Sequence, residues 1–367
     1  MKVFIHTISF IKYISLNDKT QLNNAYKDSV IWIADEKKYI MHRYNDYGIT
    51  LKIEKNSEQE QKFDREHHMF KVKMIVNLFK LLNPGKEYGM VTEQDEFVLA
   101  IKYLSDILKR IENESGVCLY NDLILKRIDV AKDVVTPNDE YTQEVIRLSK
   151  LAPKKYGYKN YTPDKKTKKK KWKLEDSSMF YSKNANAKLY NKKQDLINHN
   201  ATSDLGGKGL LRFEVSLKPK TLIGLNYMNE RGIHLDALAQ ILYKITCDGE
   251  YIIKQFFKDV LMDGSMVSKG IQSKYIKVKY GGKKKRIKNM KEYRDAVNKG
   301  TGYDFTSDKA YRVKGHFEII GLSALYSSLP YIPSFSDILD GKIDKAIADF
   351  TYFKSEDKHQ IFWKTVV

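Results

Sequence analysis

The sequence predicts a mixed α+β fold, β-rich in its first part and more helical in its second. Three observations predict it. Short β-branched and aromatic runs crowd residues 1–135, one long segment there repeats apolar residues at helical spacing, and the texture turns helical after Pro219. The chain has 367 residues, 42% of them hydrophobic, enough for one large globular domain or two ordinary ones. A boundary near 220 divides it into residues 1–220 and 221–367.

The strand runs are Val3–Ser9, Val30–Ala34, Lys38–Arg43, Ile49–Glu54 and Phe70–Leu78, several of them alternating. Thr92 followed by Asp95 approximates a capping box. Phe97, Ile101, Leu104, Leu108 and Ile111 then share one helical face, and Gly116 closes the helix. A strand through Leu123–Val134 stops at Pro137, and a second helix runs from about Asp139 to Leu151. Strand character returns at Met179–Ser182, Lys188–Lys192 and Leu210–Lys218; helices follow at Leu235–Thr246 and Tyr251–Met262. No internal repeat is visible.

Charge narrows the partners. The formal net charge is +19, which suits a polyanion because Lys and Arg bound to phosphates release condensed counterions. A Lys- and Asn-rich composition inherited from an AT-rich genome would give the same excess. Cys118 and Cys247 stand alone in sequence, without CxxC or Cys/His spacing, so no structural zinc site is expected and a reducing, cytoplasmic setting fits. The first residues lack the apolar length of a signal peptide, and no apolar stretch is long enough to span a membrane.

Two basic tracts stand out. Residues 153–176 form a loop or arm with ten lysines between Lys154 and Lys173 against a single acid, Asp164. Tyr156, Tyr158, Tyr161 and Trp172 are interleaved with that charge, which suits stacking on unpaired bases as well as phosphate contact. The contacts expected here are Lys154, Lys155, Tyr158, Lys168, Lys169, Lys170, Lys171 and Trp172. The second tract, Lys283, Lys284, Lys285 and Arg286, follows Gly281-Gly282. A lysine run is also what a solvated surface looks like. An anionic membrane is the weaker partner, because neither tract makes an amphipathic helix with an apolar face.

Three strand-like segments carry the chemistry. In Lys126–Val134, alternation places Arg127, Asp129 and Asp133 on one face, opposite Ile128, Val130 and Val134. In Ala187–Asp195, Lys188, Tyr190 and Lys192 share a face. In Leu211–Lys218, Arg212, Glu214 and Ser216 lie opposite Phe213, Val215 and Leu217. If the three strands neighbour one another in an antiparallel sheet, their polar faces gather Asp129, Glu214 and Tyr190 with several cations; Asp133 could join them or simply pair with Lys132 or Arg127. Carboxylates on different strands can hold Mg²⁺ or Mn²⁺, and such an ion polarises a phosphate. A phenol ionises near pH ~10, so attack at neutral pH needs help. Lys188 and Lys192 would favour the phenolate, and tyrosine attack on a phosphodiester would leave a covalent phosphotyrosine. The same patterns also describe surface ion pairs and cross-strand salt bridges.

Taken in order, Arg127-Ile-Asp-Val-Ala-Lys-Asp133, Lys188-Leu-Tyr-Asn-Lys-Lys-Gln194 and Leu211-Arg-Phe-Glu-Val-Ser-Leu-Lys218 resemble the replication initiation factor family. That family holds rolling-circle plasmid initiators and is related to the gene II type replication proteins of filamentous phage. The match covers roughly residues 120–220. The resemblance implies a divergent HUH-type endonuclease, with a central antiparallel sheet flanked by helices. It also implies a nick at an origin hairpin, a 5′-phosphotyrosine and a free 3′-OH. Carried over, Tyr190 is the nucleophile, Lys192 balances charge on the scissile phosphate, and Asp129 and Glu214 are the metal ligands with Asp133 as a further candidate. Lys188 and Arg212 add cations for the DNA. No His-hydrophobic-His pair exists, so the usual histidine metal site of HUH enzymes is missing; His6 is the spare candidate ligand and Tyr181 the spare nucleophile.

The partners implied are origin DNA, single-stranded and hairpin, together with a host helicase, and initiators of this kind often act as homodimers. Residues 221–367, with Lys283–Arg286, are expected to recognise duplex origin DNA. Two rival readings remain: a sequence-specific DNA-binding protein without chemistry, and a mobilisation relaxase using the same chemistry.

Overall fold

The structure is a computed structural model. It describes residues 2–33, 38–57, 69–86, 88–152, 159–160, 177–182, 184–199, 201, 205–229, 234–260, 264–299 and 307–355. In chain order the first elements are β1 (Val3–Ile14), α1 (Leu16–Ala25), β2 (Val30–Ile33), β3 (Lys38–Met41), β4 (Ile49–Lys55) and β5 (Phe70–Asn77). Then come α2 (Leu78–Leu82), α3 (Gln94–Ser115), β6 (Ile124–Thr136), α4 (Asp139–Leu151), β7 (Lys159–Asn160), β8 (Ser177–Tyr181), β9 (Ala185–Asn191) and α5 (Lys192–Asn198). The remainder is β10 (Gly209–Leu217), α6 (Pro219–Gly224), α7 (Leu235–Cys247), α8 (Gly249–Val260), β11 (Met266–Val267) and α9 (Lys269–Lys279). It ends with α10 (Lys284–Lys299), α11 (Asp308–Ile319), β12 (Tyr331–Ile332), α12 (Phe335–Leu339) and α13 (Ile343–Ser355). Extensive sheet and many helices make this a mixed α+β protein, as the sequence predicts.

The chain forms two compact units. One comprises Lys2–Ala131 and Val215–Glu250; the other comprises Lys132–Glu214 and the described residues from Tyr251 onward.

In the first unit the strand order is β2-β3-β4-β5-β1-β6, and the pairs β2/β3, β3/β4, β4/β5 and β1/β5 run antiparallel. Alternation along β4 and β5 buries Leu51, Ile53, Val72, Met74 and Val76 on the face that also holds Ile8 and Phe10 of β1. The apolar stripe of α3 fills the core, with Phe97, Leu104, Leu108 and Ile111 all fully buried, and α3 packs against α1, α2 and α7. The helix starts one residue later than the Thr92/Asp95 pattern predicts. The Glu96 carboxylate accepts the N–H groups of Thr92 at 3.0 Å and Glu93 at 3.1 Å, so Glu93 becomes the capping residue. Gly116 ends α3 in the left-handed region at φ 74°, the conformation that glycine adopts without a Cβ clash.

In the second unit the order is β6-β10-β9-β8-β7, with β8 antiparallel to both β7 and β9. The helix α4 packs on β8 and β9 and touches α10. Its Glu144 carboxylate is a buried latch: it pairs with Arg147 at 2.6 Å and accepts the N–H of Ser328 at 2.7 Å and the Ser327 hydroxyl at 3.1 Å. Phe213 of β10 meets Phe257 of α8 edge to face, with centroids 4.9 Å apart.

Phe97 occupies a fully buried position on α3. Phe97→Ala should therefore cost about 3–5 kcal/mol. Urea unfolding checks this as a lower midpoint at unchanged slope, and a loss under about 1 kcal/mol would show that the site collapses around the smaller side chain.

Candidate functional site

β10 lies between β6 and β9 in the second unit, so the three motif strands are neighbours there. Gly209 opens β10 where a Cβ would stand 2.6 Å from the carbonyl oxygen of Asn138; only glycine allows this close approach at the edge of the site.

The centre of the site is an ion pair between adjacent strands. Arg212 Nε donates to Asp133 Oδ1 at 2.5 Å and Arg212 Nη2 to Asp133 Oδ2 at 2.7 Å, a bidentate fork between side chains 2% and 0% exposed. Burial alone would lower the Arg212 pKa, but Tyr190, Asp133 and Glu214 together hold it above the usual guanidinium range. One expectation is corrected by this geometry. Arg212 is buried and forked onto Asp133 and is not the exposed cation its strand position suggests, and both Asp133 oxygens accept from that guanidinium.

Tyr190, on β9, is 5% exposed, and its hydroxyl donates to Glu214 Oε2 at 3.3 Å. Burial pushes its pKa well above the ordinary phenol value; Glu214 adds to the rise and Arg212 offsets only part of it. The hydroxyl is therefore protonated at neutral pH, which corrects the expected phenolate. The two lysines meant to favour ionisation lie elsewhere. Lys188 Nζ sits over the face of the Tyr190 ring, 3.8 Å from its centroid, instead of at the oxygen. Lys192 is not on the strand at all. Asn191 caps α5 by accepting the N–H of Gln194 at 3.0 Å, so Lys192 starts the helix and pairs with Asp195 one turn on, at 2.7 Å. Burial, and then Arg212, lower the Lys192 pKa against the pull of Asp195. Burial would raise the Asp195 carboxyl, but Lys192 beside it holds it below the usual range. Asp195 is thus a member of the site; the i, i+3 spacing from Lys192 at a helix start was the signal for it.

The other expected residues fall elsewhere. In the first unit, Asp129 of β6 is 2% exposed, accepts the Thr7 hydroxyl and pairs with Arg127 Nε at 3.1 Å. His6 is half-buried on β1. Tyr181, the spare nucleophile, is half-buried on β8 with its hydroxyl 3.6 Å from the Met179 sulfur. Among the described residues, no group of three or more His, Cys, Asp or Glu side chains could hold a metal ion. Lys154, Lys155, Tyr158, Lys168, Lys169, Lys170, Lys171 and Trp172 lie outside the described residues. Lys283 and the exposed Lys284 and Lys285 lead into and begin α10, with Arg286 half-buried behind them. No helix among the described residues is long and apolar enough to cross a membrane.

No protein-family model matches the chain. No curated protein sequence matches it either. Among solved structures it has a weak similarity to the rolling circle replication initiator protein from Geobacillus stearothermophilus. The identity is 10%, over 71% of this chain and 86% of that one, with a TM-score of 0.30. Similarity at this level fixes neither fold nor function.

Two outcomes follow from the site. Arg212→Met leaves Asp133 buried without its partner and should cost about 3–5 kcal/mol, whereas the double change Arg212→Met with Asp133→Leu should recover most of that loss. Chemical denaturation of the three variants checks it; additive losses would mean the pair is not coupled. The raised Tyr190 pKa stabilises the fold fully below the unfolded value near ~10 and is lost as pH climbs above it, because the unfolded chain ionises first. Unfolding measured from neutral to alkaline pH should show wild type losing stability more steeply than Tyr190→Phe above about pH 10. Parallel curves would show an unshielded phenol.

Proposed function

We propose that this chain initiates rolling-circle replication by cutting one DNA strand at an origin hairpin through Tyr190 and remaining attached to its 5′ end. The observation that carries the reading is the Tyr190 hydroxyl held 3.3 Å from the Glu214 carboxylate, beside the Arg212 guanidinium. The order of the three motif strands, the resemblance of their residues to the replication initiation factor family and the +19 charge support it.

In the proposed step Glu214 accepts the phenolic proton as Tyr190 Oη attacks phosphorus. The bond from phosphorus to the 3′ oxygen breaks, that oxygen keeps the electron pair, and the proton passes from Glu214 to give a 3′-OH. The products are a 5′-phosphotyrosine and a primer end, and attack by a 3′-OH reverses the reaction without an external energy source. Arg212, fixed by Asp133, stabilises charge that develops at the phenol and at phosphorus. Lys188, over the ring, and Lys192 are the cations nearest the incoming phosphate. Because Tyr190 is buried, DNA binding must open the site.

A second reading has its own support: a buried, protonated tyrosine suits a DNA-binding protein that keeps the strand arrangement without the chemistry. A mobilisation relaxase would share the step and differ in the origin it serves.

Labelled single-stranded oligonucleotides spanning the hairpins of its own replicon provide the test, run on denaturing gels. Wild type should give a covalent protein–DNA band, Tyr190→Phe none, and Glu214→Gln a rate lower by about 10²–10⁴-fold. A parallel arm with EDTA, then Mg²⁺ or Mn²⁺ restored, reads whether a divalent ion takes part. A band surviving in Tyr190→Phe would move the nucleophile, with Tyr181 next. Tight binding without any band would establish the non-catalytic reading.

A further inference from the structure

We infer that the cleft between α10 and α11 is a separate binding site for the phosphate backbone of duplex DNA. The inference rests on reading the chain as a DNA-binding protein, and not on strand transfer by Tyr190.

The cleft begins with local chain chemistry. α9 ends at Tyr280, the chain turns through Gly281 and Gly282, the latter at φ 81°, and α10 starts at Lys284. The turn is fastened from behind: Tyr280 is buried, its hydroxyl donates to the His316 carbonyl of α11 at 3.2 Å, and the Arg286 guanidinium lies over its ring at 5.2 Å. Tyr293 of α10 and Phe317 of α11 pack in the core with ring centroids 6.2 Å apart. The two helices are thus held together, and the space on their outer side is a cleft of about 1140 Å³.

Its walls carry Lys283, Lys284, Lys285 and Arg286 on one side and Lys309 and Arg312 on the other, and no acid among the described residues lines it. Lys309 has an acid within reach, Glu292 at 3.5 Å, but both are exposed and such a pair is weak in water. The first turn of α10 holds cations and no acid, an arrangement that the helix dipole opposes. His316, also in the wall, is kept below its ordinary pKa by burial and then by Arg286 and Lys283. This concentration of like charge is costly until an anion enters.

The lining also selects the form of the polyanion. Single-stranded nucleic acid is gripped by exposed aromatic rings on which bases stack. Among the described residues, no aromatic ring other than the His316 imidazole lines this cleft, whose remaining walls are Gly282, Asn289, Val313, Gly315 and Ile319. Cations on two fixed helices, without stacking platforms, suit a regular row of phosphates along a duplex.

The test uses the full-length protein and a short fluorescein-labelled duplex of arbitrary sequence, followed by anisotropy over a salt series. Lys285→Glu and Arg312→Glu should each weaken duplex binding about tenfold and flatten the salt slope by about 0.9 for every phosphate no longer neutralised. The neutral changes Lys285→Gln and Arg312→Gln should fall between these and wild type. Lys314→Glu makes the same charge change on α11 outside the cleft, where Lys314 pairs with Glu318 at 3.7 Å, and should leave duplex binding nearly unchanged. All these positions are exposed, so circular dichroism and melting should match wild type.

Equal weakening by Lys314→Glu would reduce the effect to overall charge and overturn the inference. Unchanged duplex binding in the cleft variants would also overturn it. So would loss of binding to phosphatidylserine vesicles with duplex binding retained, which would make the cleft a membrane contact. Covalent transfer to a single-stranded oligonucleotide is read in the same variants and should persist; its absence already in wild type would sink the Tyr190 reading and leave the cleft result standing.

Discussion

Asp133 and Arg212 are full charges with almost no access to water, a state that persists only when each meets its partner in good geometry. The bidentate fork between them satisfies both, and it does so from adjacent strands. The register of β6 against β10 in this unit is therefore tied to a charge that a one-residue slip would leave stranded. Everything chemical nearby is arranged around that pair. Tyr190 and Glu214 meet beside the guanidinium, and the Lys192 ammonium is weakened by the same positive neighbour and steadied by Asp195.

The balance of charge around Tyr190 sets its protonation state. Burial and the Glu214 carboxylate keep the hydroxyl protonated, and Arg212 relieves only part of that. The nearby cations Arg212 and Lys192 are already paired with acids. Lys188 lies over the Tyr190 ring face.

The remaining positive charge is distributed for a different purpose. Around α10 and α11 it is exposed and concentrated on facing walls, whereas around Tyr190 it is buried and neutralised. The first pattern suits long-range attraction and salt-sensitive holding of a polyanion; the second suits short-range chemistry.

Much of the secondary structure was legible in the sequence, because alternation and helical spacing report directly which residues face the core. The five early strands, the α3 stripe from Phe97 to Ile111 and α4 from Asp139 fall where these local patterns put them. The motif strands carrying Asp133, Arg212, Glu214 and Tyr190 were legible for the same reason. Pairing and burial were not, since they depend on residues far apart in the chain. Only the tertiary structure turned Arg212 from a surface cation into Asp133's buried partner, moved Lys192 onto a helix through the Asn191 cap, and protonated Tyr190 by enclosing it. It also brought Lys309 and Arg312 opposite Lys283–Arg286 and wove the two compact units from discontinuous segments. Sequence determines which face a side chain takes on its own element; which charge meets which, and whether water reaches them, is decided when the elements pack.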